Sequence, residues 1–307
     1  MLELDPQIAG LLAADPPQSV DARTLPAFRA AATARVRRPG EGIQWRDHVV
    51  PGSPEVLVRV HRPLGAEGAL PCVYSMHGGG YVMGGRAMDD RRLGAWCRAF
   101  RCVGVSVEYR LAPETPFPGP LEDCYLGLRW VHDHHRELGV DPDRVGLSGT
   151  SAGAGLAAAL AMLARDRGEV PLRFQVLDAP MIDDRQLTAS SRLDNLPVFD
   201  RRSSEFGWRC YLGPLHGSPD VPPYAAPARA TDLAGLPPAY VCVGGADGFR
   251  DEAVDYATRL DRAGVPTELH VHPGAPHGVK RFPDVPVARR YLQGIHDWIG
   301  HRLRSTP

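Results

Sequence analysis

The stretch "LSGTSAGAG" (147–155) places a serine, Ser151, between Gly149 and Gly153, where the apolar run "RVGLSG" gives way to the alanine-rich "SAGAGLAAALAMLARDRG". Glycines on both sides suit a sharp strand-to-helix turn whose central residue takes an uncommon backbone conformation. Such a turn lifts a hydroxyl above the carboxyl edge of a sheet and sets it at a helix N-terminus, where unpaired N–H groups favour negative charge. A packing turn of small residues is the plain alternative. The strand–turn–helix context favours a nucleophile.

A second segment, "MHGGGYVMGG" (76–85), follows the strand-like run "LPCVYSMHG". Consecutive glycines leave backbone N–H groups unshielded, which suits an acyl-transfer enzyme that must hold the oxygen turning negative in a tetrahedral intermediate. Gly78 and Gly79 are the candidate donors, with the N–H of Ala152 as a third. No Gly-Lys-Ser/Thr follows and no G-x-G-x-x-G opens a helix here, so a phosphate cradle is disfavoured. His77 reads as a brace for the loop.

An activated serine needs a base, and the base needs a carboxylate to orient it. In a sheet of this kind the chain order is nucleophile, acid, histidine, each at a strand's carboxyl end. "VCVGGADGFRDE" offers Asp247 just past a strand, with Asp251 and Glu252 as rivals, and "LHVHPGAPHGV" offers His277 just past the next. His270 and His272 alternate along that strand and share one face, a structural pattern. "HDHH" (132–135) lies late in a helical pattern without a matching ligand set, and reads as a solvated face. No metal and no cofactor is expected.

The elements that must hold these groups alternate along the chain. Strand patterns at 70–78, 101–109, 144–149, 173–180, 239–247 and 267–274 are separated by helical patterns at 121–138, 151–168 and 250–264, and a last helix is expected over 287–303. This alternation predicts an α/β fold: a mostly parallel sheet with helices on both faces. The runs 43–50 and 55–63 alternate apolar and polar residues around "PGSP" and predict an antiparallel pair at the sheet's edge. Residues 183–225 are too long for an ordinary connection. With the helical 1–40 they are expected to form a cap over a catalytic domain made of 41–182 and 226–307. Within it, Phe199, Phe206, Trp208 and Tyr211, together with Tyr81 and Met83 after the glycine run, are candidates for a substrate pocket.

Composition restricts the partners. Among 307 residues, Lys+Arg 35 against Asp+Glu 36 gives a net charge of −1, without the basic footprint of a nucleic-acid or anionic-membrane protein. The start "MLELDPQIAGLLAADPPQSV" is no signal peptide and no run reaches the ~20 apolar residues of a membrane span, so a cytoplasmic protein acting on small, weakly charged molecules is expected. The six cysteines are scattered, without C-x-x-C spacing, and read as structural.

Taken in order, "HGGG", "YRLAPETPFPGPLEDCYLGLRWV", "GTSAG", "GADGFRDEA" and "HGV" resemble the bacterial hormone-sensitive lipase family of esterases, an α/β-hydrolase group, over residues 45–300. The resemblance implies Ser151 as nucleophile, Asp247 as acid, His277 as base, and Gly78, Gly79 and Ala152 as oxyanion donors. It also implies the cap, a homodimer through the last strand and helix, and hydrolysis of short-to-medium acyl esters. Lactones, carbonates and amides are alternative substrates for the same residues, and a non-catalytic binding protein is the alternative from another class. Two positions depart from the common family pattern: Thr150 and Ala154 stand where Asp and Gly are usual, and Asp247-Gly248-Phe249 replaces Asp-Pro-Leu.

Overall fold

In the computed structural model of the chain, residues 3–14, 16–34, 38–194 and 196–304 are described. Eight strands form one sheet: β1 (Ile43–Val50), β2 (Val56–Pro63), β3 (Leu70–Met76), β4 (Val103–Glu108), β5 (Val140–Thr150), β6 (Phe174–Asp178), β7 (Ala239–Ala246) and β8 (Thr267–Pro276). Their order is β1-β2-β4-β3-β5-β6-β7-β8. β1 and β2 pair antiparallel at one edge, β2 meets β4 antiparallel, and every later pairing is parallel.

Nine helices accompany the sheet among the described residues: α1 (Pro6–Ala14), α2 (Leu25–Ala34), α3 (Asp90–Phe100), α4 (Gly119–Asp133), α5 (His135–Leu138), α6 (Ala152–Arg167), α7 (Arg201–Leu212), α8 (Arg250–Arg262) and α9 (Pro286–Arg304). The period-two alternation of the strands sorts their side chains between two apolar layers. Tyr74, Leu177, Val241 and Val243 join residues of α4, α6 and α8, such as Leu128, Leu156 and Leu260, on one face. Val73, Val176, Tyr240 and Cys242 meet Leu93 and Trp96 of α3 and Ile295 and Ile299 of α9 on the other. α6 is buried from Ala152 to Ala164. Its alanines combine high helix propensity with side chains small enough for close packing on the sheet.

The expected strands are all present. Helix α3 escaped the sequence reading because its charged start, "DDRR", masks the apolar face of Leu93, Trp96 and Cys97. Described parts of the stretch 3–34 meet different neighbours. Leu4 bridges to Gly274 and Asp5 N–H donates to Gly274 O at 2.9 Å, so α1 lies by the end of β8. Farther on, Val20 N–H donates to Ser203 Oγ of α7 at 2.8 Å, and Arg29 of α2 donates to the carbonyls of Val82 and Ala112. Residues 1, 2, 15, 35–37, 195 and 305–307 lie outside the description.

The sheet reverses direction of growth at β3: the chain moves from β3 to β4 on one side, then to β5 on the other. A crevice opens at the carboxyl ends of strands at such a switch point, the usual ligand position in open α/β sheets. The segments after β3 and β5 carry "HGGG" and Ser151.

Candidate active site

Ser151 sits at φ 57°, ψ −120°, directly between β5 and α6. An L-residue there costs about 1–3 kcal/mol, held by the surrounding structure. The surroundings are specific. Ser151 N–H donates to Asp178 O at 2.8 Å, and its carbonyl accepts from Ala154, Gly155 and Met181. A Cβ on Gly149 would stand 2.1 Å from Gly153 O, and one on Gly153 would stand 2.2 Å from Met76 O and 2.4 Å from His77 O. Neither position tolerates a side chain, which accounts for the glycines on both sides of the serine.

His277 Nε2 lies 3.0 Å from Ser151 Oγ, and its Nδ1 lies 2.8 Å from Asp247 Oδ2. An ionised carboxylate only accepts, so Nδ1 carries the proton and Nε2 offers its lone pair to the serine hydroxyl. The other oxygen of Asp247 accepts the Phe249 N–H at 3.0 Å. All three side chains are buried. The imidazole is flanked by aromatic rings, Phe249 edge-on at 5.1 Å and Phe199 tilted at 5.5 Å.

The rivals of Asp247 are engaged elsewhere. Asp251 accepts the Ser190 N–H at 2.8 Å and pairs with Arg250. Glu252 accepts the Asp183 N–H at 2.8 Å. Burial pushes the Glu252 carboxyl well above its ordinary value, with Asp183 adding to the effect, so it stays protonated where other carboxylates ionise.

The glycine loop packs against the serine turn. A Cβ on Gly78 would lie 2.9 Å from Thr150 O and 3.4 Å from Ser151 Cβ; Gly79, at φ 128°, would collide with Met83 O. The N–H groups of Gly78, Gly79 and Ala152 have no hydrogen-bond acceptor among the described residues. His77 stacks on Tyr109 at 4.1 Å, and the Tyr109 hydroxyl donates to His77 O at 2.7 Å. Its Nδ1 lies 2.9 Å from Gly78 O, and burial holds the ring below its ordinary pKa. It braces the loop and lies apart from the serine–histidine pair.

The six aromatic and methionine candidates divide. Tyr81, Trp208 and Tyr211 are closed to solvent in one cluster, with Tyr81 stacked on Tyr211 at 4.0 Å, and Phe206 is also buried. The first three pack ring against ring, joining α7 to the end of the glycine loop. Met83 and Phe199 remain partly exposed, and the Phe199 ring reaches to within 3.0 Å of where a Gly80 Cβ would be.

One group of residues was not foreseen. Behind the serine, the Thr150 hydroxyl accepts from Arg92 at 2.9 Å and Lys280 at 2.8 Å and donates to Asp178 at 2.8 Å, using all its bonding capacity. Tyr291 donates to the second oxygen of Asp178, and Arg92 also reaches Ser75 and Asp89. Burial would raise Asp178, yet Lys280 and Arg92 hold it below its ordinary value. Lys280 follows three residues after His277, so this cluster ties the histidine loop to the serine turn. The only sequence signal was a threonine beside the nucleophile.

His270 pairs with Glu268 at 2.7 Å, while burial lowers His272 to about 4. Among the described residues, no group of His, Cys, Asp and Glu is arranged to hold a metal ion, and no helix is long and apolar enough to cross a membrane.

A sequence model of the alpha/beta hydrolase fold family matches residues 73–281, more than half of the chain, from within β3 to beyond His277. The chain belongs to the alpha/beta hydrolase family. This hydrolase is 40% identical over 218 residues to esterase LipI of Mycobacterium tuberculosis, covering 70% of this chain and 67% of the relative. It is 38% identical over 234 residues to carboxylesterase NlhH of the same species, covering 75% and 73%. Among solved structures, a bacterial heroin esterase superposes with a TM-score of 0.93 at 40% identity, covering 98% of each chain. The hyperthermophilic esterase of the archaeon Pyrobaculum calidifontis gives 0.85 at 33% identity, covering 98% and 99%. At these identities the hydrolase shares more than a fold with proteins named as esterases.

Proposed function

We propose that the protein is a serine carboxylesterase in which Ser151 is the nucleophile, His277 the general base and acid, and Asp247 the residue that orients the imidazole. The observation that carries this reading is the continuous hydrogen-bonded line Ser151–His277–Asp247, at 3.0 and 2.8 Å, beside three unpaired backbone N–H groups. The names of the similar proteins, esterases and carboxylesterases, support an ester as the substrate.

In this mechanism His277 Nε2 takes the hydroxyl proton as Ser151 Oγ attacks the ester carbonyl. The N–H groups of Gly78, Gly79 and Ala152 receive the oxyanion. The imidazolium then protonates the departing alkoxide, the alcohol leaves, and the acyl group remains on Ser151. Water repeats the sequence, giving its proton to His277 and releasing the acid. Asp247 holds the imidazole in place through Nδ1 and offsets the charge on the imidazolium. The buried setting strengthens each of these interactions relative to water.

Short-to-medium acyl esters are the proposed substrates, with Met83 and Phe199, the partly exposed pair, as walls of the binding space. The proposed cap consists of residues 1–40 and the insertion 183–225, which carries α7. The proposal extends to a cytoplasmic homodimer joined through α9 and β8, an edge strand with Leu269 and Val271 exposed, to be checked by fractionation and by mass in solution.

The test is hydrolysis of p-nitrophenyl esters of graded acyl length beside lactones and anilides, with Ser151→Ala as control. Turnover in that variant should fall by several orders of magnitude with the fold retained. Near-normal ester cleavage by Ser151→Ala would overturn the assignment.

A further inference from the structure

We infer that Tyr81 is a positioning residue that ties the oxyanion loop to the nucleophile turn through its phenol hydroxyl. The inference rests on the esterase reading above and concerns a residue that the sequence marked only as a pocket wall.

Tyr81 closes the glycine run and has φ 66°, a left-handed conformation that is uncommon for a bulky side chain. The ring is buried beside α7. There it stacks on Tyr211 of α7 at 4.0 Å with the ring planes 9° apart, beside Trp208 at 5.3 Å. The hydroxyl reaches Met181 O at 2.8 Å. Met181 in turn donates its N–H to Ser151 O at 3.1 Å. One residue therefore joins the two loops: its carbonyl is held by Tyr81 and its N–H holds the serine.

On the other side, Tyr81 is continuous with the donors. Val82 and Met83 return their N–H groups to Gly79 O, both at 3.1 Å, and Ala112 N–H donates to Tyr81 O at 3.0 Å. Displacement of the ring is transmitted through this short turn to Gly79. An independent observation comes from α6: a Cβ on Gly155 would lie 2.3 Å from the Tyr81 hydroxyl and 2.2 Å from Met181 O. The second glycine of "SAGAG" thus leaves the space that the phenol and its acceptor occupy. Burial pushes the phenol well above its ordinary pKa, so it remains a donor throughout the working range.

The chemistry makes such a tie consequential. Two proposed donors ride on the glycine loop and the third on α6, and all must converge on one oxygen. Donors of this kind need to be placed to within about 0.5 Å. Stacking alone lets the ring slide, whereas the hydroxyl bond fixes it against the residue that also holds Ser151.

Tyr81→Phe removes the hydroxyl and keeps the stacked ring. With p-nitrophenyl acetate, kcat should fall about tenfold or more while KM changes less than about twofold, because the loss is felt in the transition state. The rate of phosphorylation of Ser151 by diethyl p-nitrophenyl phosphate should fall in parallel. Amide hydrogen exchange over 78–83 should quicken in the free protein. Tyr81→4-aminophenylalanine, which restores an N–H donor, should recover most of kcat. An unchanged kcat in Tyr81→Phe, whatever its Tm, overturns the inference, as does a rise in KM alone. A wild-type protein inert to both reagents defeats the esterase reading; the exchange measurement then still decides the tie, and unchanged exchange over 78–83 overturns it.

Discussion

Gly153 lies against the carbonyl oxygen of Met76 so closely that a Cβ would come within 2.2 Å of it. The end of β3 and the start of α6 are thus in backbone-to-backbone contact, and this contact sets the distance between the glycine loop and Ser151. Gly153→Ala has no flexible neighbour to displace, since Met76 O and His77 O are both main-chain atoms. The variant should lose about 3 kcal/mol or more of stability in urea unfolding, and the fraction that folds should show little esterase activity.

Asp247 and Asp251 are four residues apart and have different partners. Asp247→Asn should lower kcat by about 10⁴, because an amide at this place favours the wrong imidazole tautomer. Asp251→Asn, which keeps an acceptor for the Ser190 N–H, should cost less than about tenfold. Steady-state kinetics on the two variants, side by side, would separate the orienting acid from its neighbour. Equal losses would refute the distinction.

What could be read from the sequence followed how local each signal was. The strand ends, the serine turn and the glycine loop rest on residues within ten positions of each other, where periodicity and glycine placement speak directly. The cluster around Thr150 rests on Arg92, Asp178 and Lys280, which no spacing rule connects. Tyr81 shows a different limit. An aromatic side chain after a glycine run reads as a pocket candidate, and neither its φ of 66° nor its bond to Met181 O is visible in the sequence. Trp208 and Tyr211 read as pocket candidates from type alone, and their packing against Tyr81 is not visible in the sequence. The acid loop offered three carboxylates, and only the fold brings Asp247 to His277.

Glu252 should shape stability on the alkaline side. Its folded-state pKa is raised above the ordinary 4.5. A group raised in this way contributes stability that is fully present below about 4.5 and is lost as pH rises through the folded value. Glu252→Gln keeps an acceptor for the Asp183 N–H and removes the titration. Its Tm should therefore exceed that of the wild type increasingly toward high pH and differ little near pH 4. Parallel Tm profiles across that range would refute the assignment.

Asp178 has the opposite sign. Lys280 and Arg92 depress its carboxyl below the ordinary 3.8 despite burial. Its contribution is present above about 3.8 and is lost as pH falls through the lower folded value. Asp178→Asn should be clearly less stable than the wild type in urea at pH 7, and the gap should narrow in strongly acidic solution. A gap that stays constant with pH would show that the carboxylate's charge is not what matters.

The N–H groups beside Ser151 belong to the polypeptide itself. Exchanging one amino acid for another, proline aside, leaves such a group in place, so ordinary point mutation can misplace this part of the centre but hardly delete it. The proposed walls, Met83 and Phe199, are side chains and have no such protection. Over evolutionary time, or in a laboratory library, the choice of ester is therefore free to drift while the apparatus that holds developing charge is inherited whole.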